Sequence, residues 1–125
     1  MKLDARGEAR LLGVHRDLVR VVRTALELST VDFTVTEGLR TLERQRALKA
    51  KGASRTLNSR HLTGHAVDLA AKVDGVIRWD WPLYAHLARA VKAAAVREGV
   101  PIVWGGDWKS LRDGPHFELE RKAYP

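Results

Sequence analysis

The sequence predicts an α+β fold, a small antiparallel sheet with helices packed on it. Three observations point there. Segments with apolar residues at helical spacing occur between segments that alternate with a period of two, in the order α, β, α, hairpin, α, β, β. Asp74-Gly75 is a two-residue hairpin turn between extended segments, which makes neighbouring strands antiparallel. At 125 residues the chain is the size of a single domain, and its lack of cysteine means that the core rests on packing rather than on disulfides.

Residues 3–12 suit a short helix that stops at Gly13. A clearer one runs from His15 to Leu28, with Leu18, Val22, Ala25 and Leu26 on one face and Arg16, Arg20, Arg23 and Glu27 on the other. His15 reads as a cap or a surface residue. Val31 to Thr36 alternates as a half-buried strand, with Val31, Phe33 and Val35 on one side. Thr41 is placed to cap a helix through Lys51, with Leu42 and Leu48 among its buried positions and Gly52 closing it. Residues 52–60 form a polar loop.

His65 to Ala71 reads as a strand with Ala66, Asp68 and Ala70 on one face and His65, Val67 and Leu69 on the other. Small alanines beside Asp68 leave room for a ligand. Val76 to Trp79 is the return strand. Asp80 as cap and Pro82 in the first turn open the last long helix, whose core face is Leu83, Leu87, Val91, Ala94 and Ala95. His86 lies beside that stripe and is read as structural. Gly99 and Pro101 end the helix. Ile102 to Trp104 is a short buried strand, Gly105 to Trp108 a sharp turn, and Pro115 to Leu119 the final strand, with His116 and Glu118 sharing a face.

Lys and Arg number 22 against 15 Asp and Glu, a net charge of +7. Polyanions are therefore natural partners. The charges are dispersed rather than gathered in a basic tract, and there is no RNA-binding or finger motif, so no specific nucleic-acid partner is expected. No run is long or apolar enough to span a membrane. Met1 to Glu8 is charged and lacks the apolar stretch of a signal peptide. The lack of a signal peptide suggests a protein that stays in the cytoplasm where it is made until something releases it; oligomeric state is not decided by the sequence, and a monomer is the default expectation.

Two stretches carry chemistry. Ser59 to Asp68 offers His61 and Asp68; Asp113 to Glu118 offers His116, with Asp113 three residues earlier. Catalytic zinc takes three protein ligands and leaves a fourth position for water. With no thiol available, His61, Asp68 and His116 fit that count, and Asp113 stands where a general base is wanted. The zinc site is expected in an open cleft on the sheet. His65, turned away from Asp68 by the strand alternation, is read as supporting rather than ligating.

At these residues the chain resembles the zinc peptidases that cleave bacterial peptidoglycan peptides: D,D- and L,D-carboxypeptidases and phage endolysins of the L-alanyl-D-glutamate endopeptidase type. Their pattern, Ser-x-His-x-x-Gly-x-Ala-x-Asp followed by Glu/Asp-x-x-His, is met by Ser59, His61, Gly64, Ala66, Asp68, Asp113 and His116 without a mismatch. Glu37-Gly38-Leu39-Arg40-Thr41 with Gln45, and Trp104-Gly105-Gly106-Asp107-Trp108, are also similar to the family. The resemblance implies Zn²⁺ at His61, Asp68 and His116, a catalytic carboxylate at Asp113, and an arginine, Arg40, that binds substrate and steadies the anionic intermediate. Ser59 and Gln45 would support the site. Trp108 is either a cleft wall or core filler, and Glu118 either orients a ligand or lies on the surface. The implied activity is hydrolysis of the L-Ala–D-Glu bond of the stem peptide by a bacteriolytic endolysin, held in the host cytoplasm until release to the wall. Two alternatives stand beside it: a D-Ala-D-Ala-type carboxypeptidase, and a non-catalytic zinc-containing module that binds the cell wall.

Overall fold

A computed structural model describes residues 1–54, 56 and 58–125. Helix α1 (Ala5–Arg10) is capped by the Asp4 carboxylate, which accepts from Gly7 N at 2.7 Å. It is shorter than the sequence suggested, and residues 11–14 continue as turns. In α2 (Arg16–Leu28) the buried set is Leu18, Val21, Val22, Ala25 and Leu26, the stripe expected of an amphipathic helix. His15 caps it, Nδ1 accepting from Asp17 N at 3.0 Å.

Strand β1 is Asp32–Glu37, β2 is Ala66–Val73 and β3 is Val76–Ile77, with α4 (Trp81–Glu98), β4 (Ile102–Trp104) and β5 (His116–Leu119) following. The sheet order is β1-β2-β5-β4, every pairing is antiparallel, and β3 adds to the end of β2. Strand β3 stops two residues earlier than expected. The Arg78 carbonyl, which a longer strand would use, accepts the Tyr84 hydroxyl at 2.8 Å instead. Asp74 and Gly75 both have positive φ, 51° and 79°, as the tight turn requires.

One face of the sheet is the core. Phe33, Val35, Val67, Leu69, Ala71, Phe117 and Leu119 meet the apolar faces of α2 and α4 in one cluster. In α4 the buried positions are Tyr84, Leu87, Ala88, Val91, Ala94 and Ala95. Leu83, expected in that row, is only half-buried, and Tyr84 replaces it because its hydroxyl also accepts from Ala71 N at 3.1 Å. Asp80 does not cap α4 with its side chain, because its carboxylate is held by Arg78 at 2.8 and 3.2 Å. Gly99, at φ 68°, ends the helix in the left-handed conformation. Among the described residues no helix is long and apolar enough to cross a membrane.

Helix α3 (Leu42–Ala50) begins at the expected cap, Thr41, but its burial differs from the expectation. Leu42 is 45% exposed and Leu48 half-buried, whereas Gln45 is fully buried. This helix packs on a polar floor rather than on the apolar core, so its inward position belongs to an amide.

Candidate active site

The polar face of the sheet places the functional side chains. Residues that pair across antiparallel strands share a face. Asp68 stands opposite His116, and Ala66 opposite Glu118. On the other side of β2 the register shifts between Val35 and Glu37, so Glu37 rather than Thr36 stands opposite Asp68. A strict period of two would put Glu37 on the core face with Phe33 and Val35. The bulge turns it to the polar side, a device common beside active sites. The row Glu37, Asp68, His116 therefore runs across three strands.

His61 comes from a 3₁₀ turn, Arg60–Thr63, whose cap is Ser59: the Ser59 hydroxyl accepts from His61 N at 3.2 Å. Gly64 ends the turn at φ 73° and lies so close to Gly13 that an added Cβ would sit 2.3 Å from the Gly13 carbonyl oxygen. The turn is thus locked to the segment preceding α2. His61 Nδ1 lies 2.8 Å from the Gly38 carbonyl, and Nε2 lies 3.2 Å from Asp68 Oδ1. His116 is reversed: Nε2 is 2.8 Å from Glu118 Oε1, and Nδ1 is 3.2 Å from Asp68 Oδ1.

This arrangement suits a cation. The outer nitrogen of each imidazole faces an acceptor and so carries its proton there. In the neutral tautomers both inner nitrogens then point lone pairs at the Asp68 carboxylate. Three converging lone-pair donors need a positive charge among them, either protons or a metal ion. Without a metal, protons supply it. Burial opposes a charged His116, yet the hydrogen bonds to Asp68 and Glu118 outweigh it and hold the pKa up at about 9. Burial likewise works against the Asp68 charge, but the two histidines hold its carboxyl well below the usual range. His61, Asp68 and His116 can each bring one ligand atom within 4.8 Å of the others. A tetrahedral ion with bonds of about 2.1 Å separates its donors by about 3.4 Å, close to these contacts. The group could therefore hold a metal ion.

Asp113 lines the same cleft. Its carboxyl pKa is raised, first by burial and then by the negative charge of Asp68. Its backbone is fixed independently of that carboxyl: Asp113 N donates to the Gly105 carbonyl at 3.0 Å, and Trp104 Nε1 donates to the Gly114 carbonyl at 2.7 Å. Gly105 has no room for a side chain, since a Cβ there would lie 2.5 Å from the Asp113 carbonyl oxygen.

Arg40 is almost buried and pinned at both ends of its fork. Nη1 donates to Gln45 Oε1 at 2.7 Å and lies 3.5 Å from Ser59 Oγ, and Nη2 donates to Glu37. Gln45 in turn donates to Ser54 Oγ at 2.8 Å and to the Thr56 carbonyl. The loop of residues 52–60 borders the cleft as expected, through Ala53, Ser54, Thr56, Asn58, Ser59 and Arg60; Arg55 and Leu57 lie outside the described residues. Trp108 forms part of the wall, its ring centroid 5.2 Å from that of His116. The cleft holds about 550 Å³.

Every site residue named from the sequence lines this cleft or, for Gln45, braces it from beneath. His65 does not approach the ligand group; it pairs with Thr63 Oγ1 at 2.6 Å and packs near His15. Glu37 and Arg121, which also line the cleft, and Gly38, whose carbonyl pairs with His61, were not named as site residues from the sequence. Glu37 and Gly38 lie in the segment singled out for Arg40, and that proximity was the available signal. Arg121, beyond the last motif, offered none.

The sequence matches the phage L-alanyl-D-glutamate peptidase family over residues 1–124. The L-alanyl-D-glutamate peptidase of Escherichia phage T5 is 34% identical over 127 residues, covering 98% of this chain and 92% of that protein. The crystal structure of the Serratia marcescens L-Ala D-Glu endopeptidase ChiX superposes with a TM-score of 0.94 at 54% identity, covering 99% of this chain and 94% of the other. The vancomycin-resistance D,D-dipeptidase VanXYg shares the fold alone, with a TM-score of 0.57 at 21% identity over 85% of this chain and 50% of the other. With a match that runs almost end to end and a cleft that unites His61, Asp68 and His116, the chain belongs to the phage L-alanyl-D-glutamate peptidase family.

Proposed function

We propose that the protein is a zinc-dependent endopeptidase that hydrolyses the L-Ala–D-Glu bond of peptidoglycan stem peptides and acts as an endolysin in host-cell lysis. The observation that carries this reading is the convergence of two inward imidazole nitrogens on Asp68, with a further carboxylate, Asp113, in the same cleft. Two imidazoles, one carboxylate and no thiol suit zinc, which His61, His116 and Asp68 would hold at the cleft. When bound there, the ion would supply Lewis acidity for a water molecule and the scissile carbonyl.

The chain's own residues do the rest. The Gly38 carbonyl and Glu118 fix the orientation of the two imidazoles and make them better donors. Asp113 takes the proton of the attacking water and returns it to the leaving amine; burial and the nearby Asp68 charge make its carboxylate a stronger base than an exposed aspartate. Arg40, held rigid by Glu37 and Gln45, keeps a permanent positive charge at the cleft for the oxyanion that develops. Ser59 holds the turn that presents His61, and Trp108 walls the substrate side. The protein acts as a monomer, resides in the host cytoplasm until release, and uses its +7 charge to favour the anionic envelope without specific nucleic-acid binding.

The zinc assignment is tested by metal analysis. The purified protein should carry one zinc per chain, and His61→Ala and His116→Ala should each strip most of it. Full occupancy in both variants would remove the assignment.

A further inference from the structure

Three arginines line the cleft among the described residues, and in two of them the terminal nitrogens already donate to groups of the chain itself. Arg40 donates to Gln45 and Glu37. Arg60 donates through Nη2 to the carbonyls of Tyr124 at 2.6 Å and Leu119 at 3.3 Å, which ties the C-terminal segment to the sheet. Arg121 is different. It follows β5 by two residues, its side chain is 65% exposed, and the nearest acidic atom to its Nε is Glu118 Oε2 at 3.7 Å, beyond a hydrogen bond. Glu118 is already engaged by His116 at 2.8 Å through its other oxygen. Among the described residues Arg121 makes no hydrogen bond, and its one ion pair, to Glu118, runs through Nε, so the two terminal nitrogens of its guanidinium face the cleft beside the group that would hold the metal.

A substrate of the class proposed above supplies a partner for that fork. A glutamyl residue whose amine is acylated by alanine keeps two carboxyl groups. A peptide that continues through one of them leaves the other free, on the leaving side of the scissile bond. A guanidinium recognises a carboxylate through two parallel charge-assisted hydrogen bonds, which a primary amide cannot match because half of its face donates. Building on that reading of the reaction, we propose that Arg121 is the carboxylate anchor of the cleft: it binds the free carboxylate of the glutamyl residue and makes the enzyme select an acid over an amide there. Arg121 is a specificity-determining residue in this account, with no part in proton transfer.

The test uses the zinc-loaded protein and two synthetic stem peptides containing an L-Ala–D-Glu bond, one with the glutamyl carboxylate free and one with it converted to the primary amide. The native enzyme should favour the acid by about tenfold or more in kcat/KM, the scale of a hydrogen bond to a charged group. Arg121→Met should bring the two peptides close to parity, mainly through a higher KM on the acid with kcat nearly kept. Arg121→Lys should recover part of the preference. Parity in the native enzyme, or a preference that survives in Arg121→Met, overturns the proposal. An equal fall in kcat on both peptides also overturns it, because Arg121 would then act through Glu118 and His116 rather than on substrate. If the native zinc-loaded enzyme cleaves neither peptide, the proposed reaction itself fails and the anchor with it.

Discussion

Replacing Asp113 by Asn separates chemistry from architecture. Asn is isosteric, and the loop around position 113 is held by backbone contacts: Asp113 N to the Gly105 carbonyl at 3.0 Å, His116 N to the Asp113 carbonyl at 3.3 Å, and Trp104 Nε1 to the Gly114 carbonyl at 2.7 Å. None of these uses the carboxylate. The fold should therefore persist, and so should the metal, because the group proposed to hold it is His61, Asp68 and His116. The amide can still hydrogen-bond a water but cannot take its proton. Turnover should fall by about 10²–10⁴-fold, the usual range for a general base, which is a barrier increase of about 3–5 kcal/mol. The assay is steady-state cleavage of a soluble stem peptide, with zinc content measured on the same samples. Asp107→Asn is the control: Asp107 is 54% exposed and paired with Lys92 at 2.6 Å, outside the catalytic cleft. If Asp107→Asn abolishes turnover while Asp113→Asn leaves it nearly intact, with zinc bound in both, the base has been put on the wrong carboxylate.

Further consequences concern the metal and its supports. Glu118→Gln weakens the acceptor that orients His116, and metal affinity should drop about 10- to 100-fold while thermal stability of the loaded protein changes little; unchanged affinity by competition with a chelating dye would count against that role. Gly38→Ala would place a Cβ 2.0 Å from the Arg10 carbonyl oxygen, so the segment carrying the His61 acceptor must move. It should cost about 1–3 kcal/mol in denaturant unfolding and loosen the metal as well. In the metal-free protein His116 stays protonated up to about pH 9, so metal must displace a proton. Apparent affinity should rise as pH increases from 6 towards 9, and calorimetry in buffers of different ionisation heat should detect proton release; a flat affinity over that range would contradict the hydrogen-bonding scheme.

The convergence of His61, Asp68 and His116 was legible in the sequence because it follows simple rules. Asp68 and His116 lie on strands whose alternation is clean, and the partner faces of β2 and β5 follow directly from it. The Glu37 role was hidden by the bulge after Val35, since one extra residue moves a side chain to the opposite face and leaves no mark in the hydrophobic pattern. Helix α3 misled for a related reason. Its leucines looked like core positions, but the surface beneath it is the Arg40 and Ser54 network, so Gln45 is buried and Leu42 is not. The capping of α4 failed because Asp80 had a nearer cation in Arg78. In each case long-range polar partners decided a position that local propensity left open.

The central claim, hydrolysis at L-Ala–D-Glu in a metal-dependent manner, is tested most directly on its natural polymer. Purified peptidoglycan is digested with the protein, with and without a chelator, and the new peptide ends are identified by mass spectrometry. New C-terminal L-Ala and new N-terminal D-Glu, absent when the chelator is present and restored by added zinc, are the predicted result. Release of D-Ala, or the same new ends in the presence of the chelator, would contradict it.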